Sequence, residues 1–136
     1  MTPRLLSLIS LAAGVAASAG AATLTVEVQN VSAPGELMVA VFDTEGTWLK
    51  QPAHSVRQAA TAGTMTVQVT DLPDGVYGVS LFIDRNANGQ LDRNAIGIPT
   101  EPYAFSNDAS GAFGPPRFDK ARLDVRGDTR TVIHLP

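Results

Sequence analysis

Nine consecutive residues carry the spacing in this chain best suited to ligating chemistry: Asp84-Arg85-Asn86-Ala87-Asn88-Gly89-Gln90-Leu91-Asp92. Oxygen-bearing side chains recur at every second position, so they can converge on one cation while Gly89 takes the sharp turn between them. The run fits the first part of D-x-[DN]-x-[DN]-G, the calcium-loop pattern of EF-hands. On this reading Asp84, Asn86 and Asn88 bind through side chains and Gln90 through its backbone carbonyl. Asp92 binds directly or through water. The twelfth position, where an EF-hand places a bidentate Glu, is Ala95, and no helical pattern flanks the loop. This is not an EF-hand. Glu101, brought back by the turn at Gly97-Ile98-Pro99, is the nearest substitute for the missing carboxylate. Arg85 and Arg93 stand beside the two loop carboxylates. That low ligand charge sets the expected calcium affinity in the extracellular range, about 10⁻⁴–10⁻³ M. The metal-free alternative is an Asn/Gly turn held by Asx-type hydrogen bonds.

Other constellations are sparser. His54 and His134 are the only histidines, too few for a histidine-based zinc site without carboxylates. No G-x-S-x-G elbow accompanies them, and no phosphate-cradling glycine loop is present. No catalytic constellation emerges, and a non-enzymatic protein is expected. Trp48, Tyr103 and Phe105 offer ring faces for a small ligand or carbohydrate, although a lone Trp beside Leu49 is more often a core or cap residue. Lys120, Arg122, Arg126, Arg130 and His134 fall on one face of an expected C-terminal hairpin. This is either a basic stripe for an anionic envelope polymer or simply a solvated sheet face.

The elements that must position these residues read as strands. Leu24, Val26 and Val28 alternate with polar neighbours, as do Met65, Val67 and Val69, and Tyr77, Val79, Leu81 and Ile83 form another apolar face. Residues 36–43 are apolar on both faces, as a central strand requires. Ala121, Leu123 and Val125 lead through Gly127-Asp128 to Thr131, Ile133 and Leu135. A weak edge strand is expected at 54–59, and a single helical turn at Thr47–Lys50. Pro73 and Gly75 suit a tight turn before Tyr77, whose hydroxyl can bond back to it as a tyrosine corner. About seven short strands with Gly/Pro punctuation define an all-β, Greek-key-type β-sandwich. One connection, 84–119, is far longer than the rest. It holds Tyr103, Phe105, Phe113 and Phe118, half of the chain's eight aromatic residues, so it is expected to be ordered and packed on the sandwich.

The chain's ends and composition bound its setting. Of the 136 residues, 44% are hydrophobic and 17% charged, with net charge −3 and no cysteine. A mildly acidic chain lacks the basic footprint of a nucleic-acid partner. Arg4 precedes an apolar run from Leu5 to Ala17 and a small-x-small ending, Ala19-Gly20-Ala21. This is the pattern of a signal peptide over 1–21, leaving one domain at 22–136 that carries 9 basic and 13 acidic groups. The membrane-anchor alternative is weaker, because half of the run is Ala, Gly and Ser and nothing basic follows it. Export to the periplasm or beyond is expected, with no membrane span after cleavage.

The linked motifs also carry a resemblance. Leu72-Pro73-Asp74-Gly75-Val76-Tyr77, Phe82-Ile83-Asp84, Gly97-Ile98-Pro99-Thr100-Glu101-Pro102-Tyr103 and Phe113-Gly114-Pro115-Pro116 match one pattern. The chain resembles the secreted bacterial family catalogued as domain of unknown function 2141. That likeness implies a single exported β-sandwich domain and assigns no activity. The 84–92 stretch is also similar to calcium-binding loops in B-type repeats of bacterial surface adhesins. The expected function is an exported module binding calcium and an envelope or extracellular partner; the alternative is a small-ligand or carbohydrate-binding module.

Overall fold

Alternation decides which residues meet between two sheets. The structure, a computed structural model, describes residues 22–136; the expected signal peptide lies outside the described residues. The strands are β1 (Ala22–Val31), β2 (Glu36–Phe42), β3 (His54–Ala59), β4 (Gly63–Leu72), β5 (Gly75–Asp84), β6 (Tyr103–Phe105), β7 (Arg122–Val125) and β8 (Thr129–His134). One sheet runs β4-β1-β8, with β8 parallel to β1. The other runs β3-β2-β5-β6, and β7 pairs with β5 as well. Most connections arch from one sheet to the other, so the fold is a β-sandwich of Greek-key type.

The expected apolar faces are the ones that meet. Leu24, Val26 and Val28 from β1 and Val67 from β4 pack against Leu37 and Val41 from β2 and Val79, Leu81 and Ile83 from β5. All are buried. β2 lies between β3 and β5 and is apolar on both faces: Leu37, Val39 and Val41 enter the core between the sheets, and Ala40 and Phe42 pack on the outer face. The weak strand at 54–59 is β3, at the sheet edge.

The outer face of the five-stranded sheet carries a second, smaller core. Phe42, Trp48, Phe105, Phe118 and Ala121 cluster there. Phe118 and Ala121 come from a single-turn helix, α1 (Phe118–Ala121). Gly78 makes this possible: a Cβ at that position would lie 2.7 Å from the Trp48 ring and 3.1 Å from Phe118.

The C-terminal segment departs from expectation. Gly127-Asp128 does not close a hairpin, because β7 adds to β5 in one sheet and β8 to β1 in the other. A short turn between two alternating strands looks the same locally whichever sheet the second strand joins. The expected basic stripe is therefore divided. Lys120 sits in α1, Arg130 pairs with Glu27 at 2.8 Å, and the His134 ring meets Asp108 at 2.7 Å.

One edge of β5 is shared by two short strands. β6 pairs with Ser80–Phe82 and β7 with Gly75–Gly78. Between them Ser106 fills the gap. It is fully buried, and its Oγ accepts the Val79 N–H at 2.9 Å and donates to the Ala121 carbonyl at 2.5 Å. Ser106→Ala removes both partners at once. It should lower unfolding free energy by about 1–3 kcal/mol, read from denaturant midpoints, and Ser106→Thr should lose less if the methyl group fits.

Tyr77 forms the tyrosine corner, its hydroxyl donating to the Pro73 carbonyl at 2.5 Å. Burial, with Asp43 and Asp74 nearby, pushes its phenol above the ordinary 10.0. The folded state thus holds this proton more tightly than the unfolded chain. Its contribution is complete below the ordinary value and is lost as pH rises through the folded value. Tyr77→Phe should cost about 1 kcal/mol at neutral pH and flatten the alkaline limb of the stability curve, measured by urea unfolding between neutral and strongly alkaline pH.

Candidate functional site

The polar loop begins where β5 ends. Asp84 is the last residue of that strand and is fully buried. A buried carboxylate needs hydrogen-bond donors to offset its lost hydration. The loop supplies them from its own backbone: Asp84 Oδ2 accepts the Gly89 N–H at 2.7 Å and Oδ1 the Asn88 N–H at 3.3 Å. Gly89 adopts a φ of 77°, a left-handed conformation that suits glycine and aims its N–H inward.

Asn86 and Asn88 reach across the turn to Asp92. Each side-chain amide donates to a different oxygen of the Asp92 carboxylate, Asn88 at 2.6 Å. The Asn88 carbonyl oxygen accepts the Gln90 N–H at 3.0 Å. Asp84, Asn86, Asn88, Gln90 and Asp92 are thus drawn together in one hydrogen-bonded turn. Both flanking arginines point elsewhere. Arg85 donates to Ser32 Oγ at 3.2 Å and Arg93 to the Gly97 carbonyl at 3.1 Å.

Glu101 returns to the loop as expected, but its oxygens have a different task. It is 6% exposed, and it accepts the Arg85 N–H at 2.6 Å on Oε2 and the Asp92 N–H at 2.8 Å on Oε1. It braces both ends of the loop. The return is held by a second small turn, in which Asn94 Oδ1 accepts the Ile96 and Ile98 N–H groups and the Thr100 N–H donates to the Asp92 carbonyl at 2.8 Å. Among the described residues, no group of three Asp, Glu, His or Cys side chains is placed to hold a metal ion. A cation here depends on the asparagine amides and the Gln90 carbonyl as well as on Asp84 and Asp92. A half-turn of either amide exchanges its N–H donors for a carbonyl oxygen, so the same side chains can serve an anion or a cation.

The three aromatic residues considered for ligand stacking are also brought together. Trp48 and Phe105 lie 6.0 Å apart, and Tyr103 and Phe105 5.8 Å apart, between ring centroids. Two of them face inward, unlike the expected surface platform. Trp48 is 9% exposed, packs against Phe42 and Phe118, and donates its indole N–H to the Pro116 carbonyl at 2.9 Å. Phe105 is buried, and Tyr103 alone of the three presents a ring to solvent. Phe113, expected to pack the long connection against the sandwich, is instead exposed, and Ile96 and Ile98 of the same connection are exposed with it. Aromatic and aliphatic content signalled an ordered loop without revealing which side chains face out.

The fold and loop define a class: a β-sandwich whose long connection is organised around a buried aspartate and a bracing glutamate. Within that class the chain belongs to the bacterial family described as "Uncharacterized protein conserved in bacteria (DUF2141)", whose family model matches residues 26–133. No curated protein and no solved structure matches the chain. No helix among the described residues is long and apolar enough to cross a membrane.

The bracing role of Glu101 has a direct test. Glu101→Gln leaves one oxygen for two backbone donors and turns an NH₂ group toward the other. It should cost about 1.5–3 kcal/mol and selectively speed hydrogen exchange of the Arg85 and Asp92 amides, read residue by residue by NMR.

Proposed function

We propose that this protein is an exported, non-enzymatic module that takes up calcium in the 84–92 loop and presents the surface this loop organises to an envelope or extracellular partner. The observation that carries the reading is the gathering of Asp84, Asn86, Asn88 and Asp92 into one turn, with the Gln90 backbone beside them. Hard oxygen donors of mixed charge are what calcium accepts, and water completes such a shell readily. The arginines turned outward leave the carboxylates free of a competing side-chain cation. Glu101 acts behind this shell, holding the loop in shape.

The non-enzymatic reading draws on where buried polar groups are directed. Among the described residues, Asp84, Glu101 and Ser106 are the buried polar or charged ones, and each is engaged with the backbone rather than aimed into a cleft. Export is supported by the signal-like pattern before Ala22, and the lack of cysteine leaves the long connection without a covalent staple in an oxidising compartment.

Calcium at ten to a hundred times its dissociation constant should stabilise the fold by about 1.4–2.7 kcal/mol. Melting curves in chelator, in 10 mM calcium and in 10 mM magnesium read this as a calcium-selective rise in Tm. Asp92→Asn keeps the side-chain shape but removes one acceptor for the Asn86 and Asn88 amides, so its chelator baseline should fall; measured from that baseline, the calcium rise should be abolished. An unchanged Tm in calcium, or an equal rise in Asp92→Asn, refutes the site.

A further inference from the structure

The outer face of the five-stranded sheet is only half covered. Trp48, Phe105 and Phe118 close one part of it. Beside them a groove of about 620 Å³ runs between the sheet and the long connection, with Ile96, Ile98, Tyr103 and Phe113 along its rim. Ile96 is 80% exposed and Phe113 fully so. Several large apolar side chains on one concave rim are unlike the scattered exposed residues of an ordinary surface. A second hollow of about 280 Å³, over Met38, Ala40 and Arg57, adjoins the first, and Ser80 and Phe82 line both. The two form one continuous trough.

Its dimensions and charge describe an occupant. The floor crosses four strands, from Tyr103 on β6 through Phe82 on β5 and Met38 on β2 to Arg57 on β3. Three interstrand spacings make about 14 Å, the reach of an extended twelve-carbon chain. Polar and apolar atoms share the lining: Ser55, Ser80 and loop backbone lie among the apolar side chains, and Arg57 lines the second hollow and Arg93 the first. Arg57 is already paired with Glu36 at 3.3 Å. Arg93 holds only the Gly97 carbonyl and forms no ion pair among the described residues. An unpaired guanidinium in a trough rimmed by large apolar side chains complements a single carboxylate on a long aliphatic tail.

We propose that this trough binds a long-chain aliphatic carboxylate, its tail across the outer face of the sheet and its head on Arg93. Phe113 stands between Gly111 and Gly114 on the rim and is placed to cover the tail. The proposal does not rest on calcium, and its test excludes that ion, which would precipitate the ligand as a soap.

The test is calorimetric titration of the full chain with dodecanoate, in chelator and below the micelle concentration. The expected result is saturable binding of one dodecanoate per chain, with dodecanol at least tenfold weaker. Arg93→Gln should weaken dodecanoate at least tenfold and leave dodecanol unchanged. Ser80→Phe, which fills the shared middle of the trough, should abolish binding of both, with melting curves showing that each variant is folded. Absence of saturable binding by the wild type overturns the proposal. So does equal dodecanoate affinity in Arg93→Gln. Concentration-dependent dimerisation that Phe113→Glu abolishes and dodecanoate does not compete with assigns the face to a second copy of the chain, and overturns it too.

Discussion

Both oxygens of one carboxylate hold the long connection to the sandwich. Glu101 takes the backbone N–H groups of Arg85 and Asp92, the first just beyond β5 and the second at the far side of the polar turn. Everything after it inherits that placement. Pro102 follows directly and accepts the Ile83 N–H at 2.9 Å, so the chain enters antiparallel pairing with β5 at Tyr103. The turn in front of Glu101 is organised by Asp84 in the same way, through backbone donors. Two buried carboxylates, each satisfied by peptide N–H groups, thereby replace the helices or disulfides that other folds use to order a long excursion.

Much of this was legible in the chain itself, for identifiable reasons. Period-two alternation marks Leu24, Val26 and Val28 or Val79, Leu81 and Ile83 because one face of each strand must be apolar, whatever it packs against. The corner at Pro73–Tyr77 is equally local, and the phenol finds the carbonyl four residues back. The polar loop was visible because its ligand-type side chains recur in a fixed rhythm. The return of Glu101 was also foreseeable, since only a turn at Gly97–Pro99 separates it from the loop.

What escaped is governed by distant partners. Three-residue β6 is too short to show a period, and β5 recruits it only because Glu101 delivers it there. The pairing of β8 with β1 rather than with β7 depends on sheet membership, which no local turn encodes. The inward turn of Trp48 was legible beside Leu49, but the place that receives its ring was not: Gly78, thirty residues later, leaves the room. The roles of Ile96, Ile98 and Phe113 were hidden for a similar reason. Apolar composition signals burial on average, and these three belong to a part of the loop that stands away from the sheet.

The shared edge of β5 has an implication for how this protein fails. An open strand edge is a template for pairing with another chain. Here that edge is sealed by two short pieces, β6 and β7, with a serine hydroxyl between them. β6 lies within the long connection and β7 follows directly after it, so neither stands as an independent strand. Loosening the connection while the sandwich stays folded would therefore bare the middle of the larger sheet, already flanked by an apolar trough. Aggregation propensity in this protein is thus set by the fastening of one loop, and can rise well before global stability is lost.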